Sequence, residues 1–131
     1  MPAYGATYAV AGGVAGPIAA AGGVAVAAGG TATVPVTVTN TGSLPWLVAS
    51  QVNLAYHLWT AAGATVVWDG VRTVLPANVQ PGQTVTLAAT VRAPLGASAG
   101  TYTLGFDMVQ EGITWFSGQG VPGGIVTLQV Q

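Results

Sequence analysis

From Thr31 to the C-terminus, apolar residues recur at every second position. A period of two puts successive side chains on opposite faces, so this stretch reads as strands that each bury one face. Thr33-Val34-Pro35-Val36-Thr37-Val38-Thr39 is the plainest case, with Val on one face and Thr or Pro on the other. Pro35 has no N–H to give a ladder, so its nitrogen is expected to face no neighbour. In Gln51–Trp59, Val52, Leu54, Tyr56 and Leu58 share one face; Asn53, Ala55, His57 and Trp59 share the other. Thr84–Arg92 and Thr101–Gln110 alternate in the same way, and Ile113–Phe116 and Ile125–Val130 read as shorter strands. Turn chemistry separates them: Asn40-Thr41-Gly42-Ser43, Ala62-Gly63 and Gln80-Pro81-Gly82-Gln83. Asp69-Gly70 reads as a two-residue hairpin turn joining Thr65–Trp68 to Val71–Leu75. Short strands at this spacing predict an all-β fold, an immunoglobulin-like antiparallel β-sandwich of about seven to nine strands. A chain of 131 residues fits one such domain.

Residues 1–30 stand apart as an Ala/Gly/Val-rich arm ahead of the sandwich at 31–131. Tyr4–Val10 reads as a first strand; Gly12–Gly30 is either a flexible lead-in or a weak apolar strand that a neighbouring copy can take up. Residues 9–30 are long enough to cross a bilayer, and Gly12 and Gly16 form a small-residue spacing. Gly doublets and Pro17 spoil a helix, and no Lys or Arg anchors either end, so no membrane span is expected. The basic stretch that opens a signal peptide is absent from the N-terminus.

Charge decides which chemistries are open. Charged residues make up 4% of the chain, and the first of them is Asp69. Ordinary soluble domains carry about a quarter. Two Arg cannot track a phosphate backbone, so nucleic acid is not an expected partner. One His and no Cys leave no metal site, no thiolate and no expected cofactor. Gly118-Gln119-Gly120-Val121-Pro122-Gly123 matches a phosphate-loop spelling, but Pro122 and the lack of a following helix remove its context. Catalysis is not expected. The same scarcity strips the outward faces of the charges that normally stop sheets from pairing edge to edge. Thr37, Thr39, Thr84, Thr86 and Thr90 stand where Lys and Glu usually would.

The order of short motifs carries a resemblance. Val36-Thr37-Val38-Thr39-Asn40-Thr41-Gly42-Ser43 is followed by Pro45-Trp46, Tyr56-His57, Trp68-Asp69-Gly70-Val71-Arg72, Leu75-Pro76 and Pro81-Gly82-Gln83. Gly100-Thr101-Tyr102 and Asp107-Met108-Val109-Gln110-Glu111-Gly112 with Trp115-Phe116 complete the series. Together they resemble bacterial extracytoplasmic immunoglobulin-like domains, the accessory sandwiches appended to surface and carbohydrate-active proteins. They are also similar to the sandwich that recognises O-antigen polysaccharide in some export ATPases. The resemblance implies an extracellular or cell-surface location and a polysaccharide among the partners.

Two groups of residues are the site candidates. Trp46, in a loop, and Trp59, on an outward face with Asn53 and His57, form a ligand or interface set; flat aromatic faces suit sugar rings. Arg72, Asp107 and Glu111 form a structural ion-pair set that docks the Asp69-Gly70 hairpin. His57 is expected to approach Asp107 if their strands are neighbours. Trp68 and Trp115 are assigned to the core or a sheet interface. The leading expectation is a non-catalytic module that self-associates or packs with other surface protein through uncharged edges and faces. The alternative is a carbohydrate-binding accessory domain.

Overall fold

The computed structural model describes residues 3–10 and 23–131. In chain order the strands are β1 (Ala6–Val10), β2 (Gly23–Val26), β3 (Thr31–Asn40), β4 (Val52–Thr60) and β5 (Thr65–Val67). They continue as β6 (Thr73–Val74), β7 (Thr84–Arg92), β8 (Gly100–Gln110), β9 (Thr114–Trp115) and β10 (Gly124–Val130). One sheet has the order β1-β3-β7. The other has the order β2-β10-β8-β4-β5, with β6 also on β4 and β9 also on β8. The fold is an immunoglobulin-like β-sandwich, as the alternation predicts.

The inward faces are the predicted ones. Val34, Val36 and Val38 of β3 and Leu87 and Val91 of β7 face Leu54 and Leu58 of β4 and Leu104, Phe106 and Met108 of β8, all buried. Each such side chain taken from water contributes about 1.5–3 kcal/mol. Three polar groups fix the ends. Asn40, fully buried, donates to the carbonyls of Leu44 (2.9 Å) and Val79 (3.1 Å) and accepts from the Gly42 N–H (3.0 Å). The Tyr56 hydroxyl crosses between the sheets and accepts from the Arg92 N–H (3.0 Å). The Tyr8 hydroxyl accepts from the Met108 N–H (2.8 Å), just past the point where β10 stops pairing with β8 at Phe106. Burial pushes the Tyr8 phenol above its ordinary range.

Two expectations change. β5 and β6 do not pair with each other as a hairpin. Both run antiparallel to β4, through Leu58–Val67 and Leu54–Thr73, as one edge strand interrupted at residues 68–72. Gly70 holds the interruption against β4: its N–H donates to the Tyr56 carbonyl (2.9 Å), and a Cβ there would collide with that carbonyl and with the Tyr56 ring. The glycine serves a close approach rather than the positive φ of a hairpin turn, and so the sequence signal misled. The sandwich is also not wholly antiparallel. β2 runs parallel to β10, while β1 runs antiparallel to β3, so both N-terminal strands lie in the sheets of the same chain. Residues 11–22, including Gly12, Gly16 and Pro17, fall outside the described residues. Among the described residues, no helix is long and apolar enough to cross a membrane.

A roofed polar-aromatic cluster as the candidate functional site

Alternation along β4 and β8 sends Asn53, His57, Trp59, Gly105 and Asp107 away from the core, and the β4–β8 register sets His57 opposite Gly105 and Ala55 opposite Asp107. That outward face is not left to solvent. The interruption at 68–72 folds over it from one side. From the other, a tight turn after Gln110 brings β9 back onto β8, with Trp115 beside Val109. The result is a second, smaller packed layer.

His57 is at its centre and is 3% exposed; Asp107 is 1% exposed. His57 Nε2 lies 2.9 Å from Asp107 Oδ2, and Nδ1 lies within hydrogen-bonding distance of the Trp68 carbonyl. A carbonyl oxygen only accepts, so Nδ1 carries a proton. The other Asp107 oxygen accepts from the Ser117 N–H (3.1 Å), at the start of the turn that follows β9. Three indoles enclose the imidazole. Trp68 stacks on it (centroids 3.7 Å apart, planes at 20°), Trp115 tilts against it at 4.4 Å, and Trp59 at 5.6 Å.

Arg72 closes the upper edge. Its Cζ sits 4.8 Å over the Trp115 ring, and its guanidinium grips Glu111 through Nε (2.7 Å) and Nη2 (3.3 Å). It also donates to Asp69 Oδ1 (3.2 Å) and to the Gly70 carbonyl (2.9 Å). Asn53 Nδ2 donates to Glu111 Oε2 (3.0 Å). The Arg72 hydrogen bonds hold the Glu111 carboxyl below its usual range, and the Glu111 bond raises Arg72 above its own.

The candidates therefore divide. Asn53, His57 and Trp59 of the ligand set share this cluster. Trp46 does not: it is 2% exposed, bridged to Val79 and packed edge-on against Phe116 at 5.8 Å. The ion-pair set also splits. Arg72 takes Glu111 and Asp69, while Asp107 takes His57. Asp107 lies under the roof, out of reach of the hairpin-docking role it was expected to share. Trp68 and Trp115, expected in the core or a sheet interface, form a roof over the outward face of β4 and β8, and Trp68 is 45% exposed. The signal for them was the register: Trp68 follows β5 along the edge of β4, and the turn after Gln110 returns Trp115 to the same rows.

Of the concavities among the described residues, one on the cluster and one apart from it take in the Trp candidates. One, of about 140 Å³, opens between Trp59, Trp68 and Ile125 and is lined also by His57, Asp107 and Ser117. Its floor needs Gly105, where a Cβ would come within 2.7 Å of Trp59 Cζ3. The other, of about 320 Å³, lies at one end of the sandwich, with Tyr4, Leu44, Trp46 and Phe116 in its wall. No group of three His, Cys, Asp or Glu side chains among the described residues is placed to hold a metal.

No protein-family model and no curated protein matches the sequence. Among solved structures the chain is similar to a Niemann-Pick type C2 protein from Japanese carpenter ant, at 8% identity and a TM-score of 0.56. The match covers 98% of this chain and 93% of that one, and at this identity it concerns the fold alone. A family 123 glycoside hydrolase from Clostridium perfringens also matches, at 10% identity and a TM-score of 0.46. That match covers 83% of this chain but only 22% of the hydrolase.

Proposed function

We propose that this domain is a non-catalytic structural module that self-associates, or packs against other protein, in an extracellular or cell-surface assembly. The observation that carries the reading is the outer face of the β1-β3-β7 sheet. Thr7, Thr33, Pro35, Thr86 and Ala88 stand exposed across it, Thr37 bonds Thr86 (2.9 Å), and Thr39 bonds Thr84 (2.8 Å). Arg92, at one corner, is its one charge. A face with a single charge, at its corner, has little to repel a second copy. The absence of catalysis is supported by the cluster itself: both nitrogens of the one imidazole already face fixed partners, so neither is free to serve a substrate. Light scattering of the full chain at low and at high salt tests the reading. Association that persists at high salt is expected, since uncharged contacts are not screened; a monomer under both conditions would overturn the self-association.

A second reading is favoured by one observation, the cleft between Trp59 and Trp68. Its aromatic walls and adjacent polar groups suit the apolar face and hydroxyls of a sugar ring, which makes it the seat of a carbohydrate-binding role. Under this reading, soluble glycans give a saturable change in Trp fluorescence that Trp59→Ala abolishes. A flat titration in the unsubstituted chain removes it.

A further inference from the structure

An immunoglobulin sandwich of the constant type sets four strands on the sheet that here has three among the described residues. The place left open is beside β7. Its hydrogen-bonding direction can be read residue by residue. The β3–β7 register is unbroken from Thr31–Arg92 to Thr39–Thr84. It is flanked by Asn40 N–H to Gln83 carbonyl (3.0 Å) and Ala93 N–H to Gly30 carbonyl (3.0 Å). Hydrogen-bonded pairs alternate along an antiparallel ladder, so the odd-numbered residues of β7 bond β3 and the even-numbered ones point away. Arg92 confirms the parity, because its N–H goes to the Tyr56 hydroxyl instead. The N–H and C=O groups of Thr84, Thr86, Ala88 and Thr90 have no backbone partner among the described residues. The devices that blunt such an edge are missing from Thr84 to Thr90: there is no charge, no Pro and no bulge.

We infer that β7 pairs antiparallel with β7 of a second copy, about a two-fold axis at Leu87, joining the two three-stranded sheets into one. This deepens the self-association proposed above and rests on it. The occupant is a second copy because the edge is complementary to itself. The register that sets Thr84 opposite Thr90 and Thr86 opposite Ala88 uses every free group, and no other two-fold register does. It places Thr and Ala side chains across the seam on the outer face and Leu87 against Leu87 on the inner one, with no like charges opposed. Tyr56 ends the pairing at Arg92.

Sedimentation equilibrium of the full chain tests the seam with Thr86→Pro and Ala88→Lys. Thr86 points its N–H away from β3, so Pro removes a seam bond and leaves the native ladder intact. Both variants are expected to keep the near-ultraviolet signal of the Trp cluster and to weaken the dimer about tenfold or more, a loss of about 1.4 kcal/mol. If Thr86→Pro fails to fold, Ala88→Lys decides. The chain has no Cys, so register is read by oxidation: Thr86→Cys mixed with Ala88→Cys should cross-link faster than either alone. Oligomers unchanged in the folded variants overturn the β7 seam while leaving association through the outer face standing. Equal cross-linking in all three samples overturns the register. A monomer at every concentration of the unsubstituted chain overturns both the seam and the self-association beneath it.

Discussion

The two outer faces of the sandwich have the same alternation and different fates. On the β1-β3-β7 sheet the outward residues are Thr, Ala and Pro, with Arg92 at one corner, and solvent reaches most of them. On the β4-β8 side the outward residues include His57 and Asp107, and a second layer buries them as deeply as the core. Every charged side chain except Arg92 lies on this second side: Asp69, Arg72, Asp107 and Glu111. Parity within a strand says which way a side chain points. Only the loops say what it meets there. In this molecule four of the five charged side chains gather where two loops fold back over a sheet, and the bare sheet keeps only Arg92 at its corner.

The contrast breaks most sharply at His57. Replacing it with Ala leaves the Asp107 carboxylate buried with one backbone N–H and no cation or imidazole, and it removes the surface on which Trp68 stacks. Taking one partner from a buried pair costs about 3–5 kcal/mol. His57→Ala is therefore expected to lower the denaturation midpoint markedly, with the slope of the urea transition unchanged. A loss under about 1 kcal/mol would mean that water already reaches Asp107 and that the two faces do not differ in kind.

Much of this was legible in the sequence. Alternation placed Val34, Val36, Val38, Leu87, Leu104 and Phe106 inward, and they are buried. It also placed His57 on the face that meets Asp107. It gave no hint that the face was roofed, because a roof is made of contacts between segments far apart in the chain. Trp46 shows the same limit from the other side. A Trp after Pro45 in a turn reads as exposed, yet Asn40 draws that turn inward through the carbonyls of Leu44 and Val79. At Asp69-Gly70 the letter does not separate two causes, because hairpin turns and close backbone approaches both select Gly. β2 falls in the stretch that the sequence leaves open between a flexible lead-in and a weak apolar strand, because Gly-Val-Ala-Val has little side-chain area to show a period and its partner β10 lies at the far end of the sequence.

A smaller effect sharpens the comparison by pH. Glu111 is held below its ordinary carboxyl range by Arg72, so the folded chain binds its proton less readily than the unfolded chain does. Its contribution to stability is present above the unfolded value and is lost as pH falls through the folded one. The Arg72–Glu111 pair is partly open to solvent, which screens it, so Glu111→Gln is expected to cost about 1 kcal/mol at neutral pH. The difference between the parent chain and Glu111→Gln should shrink below pH 4.5, the ordinary value of the group. A difference that stays constant with pH would mean that Glu111 acts only as a neutral acceptor. The bare outer face, whose one ionisable group is Arg92, offers no substitution of this kind.

The smallest effect is expected on the bare face. Thr37→Val removes the bond to Thr86 while keeping the β-branched shape that suits a strand. Surface changes of this kind stay within about 0.5 kcal/mol. Denaturation of the monomer at low concentration should barely register it. Association should respond instead, because a methyl group replaces a hydroxyl on the face through which copies are proposed to meet. A stability loss above about 1 kcal/mol in the dilute monomer would show that the threonine pairs hold the sheet together, as the buried pair does on the other side. A change confined to association assigns the two faces their separate work: the roofed side keeps the domain folded, and the bare side meets the neighbour.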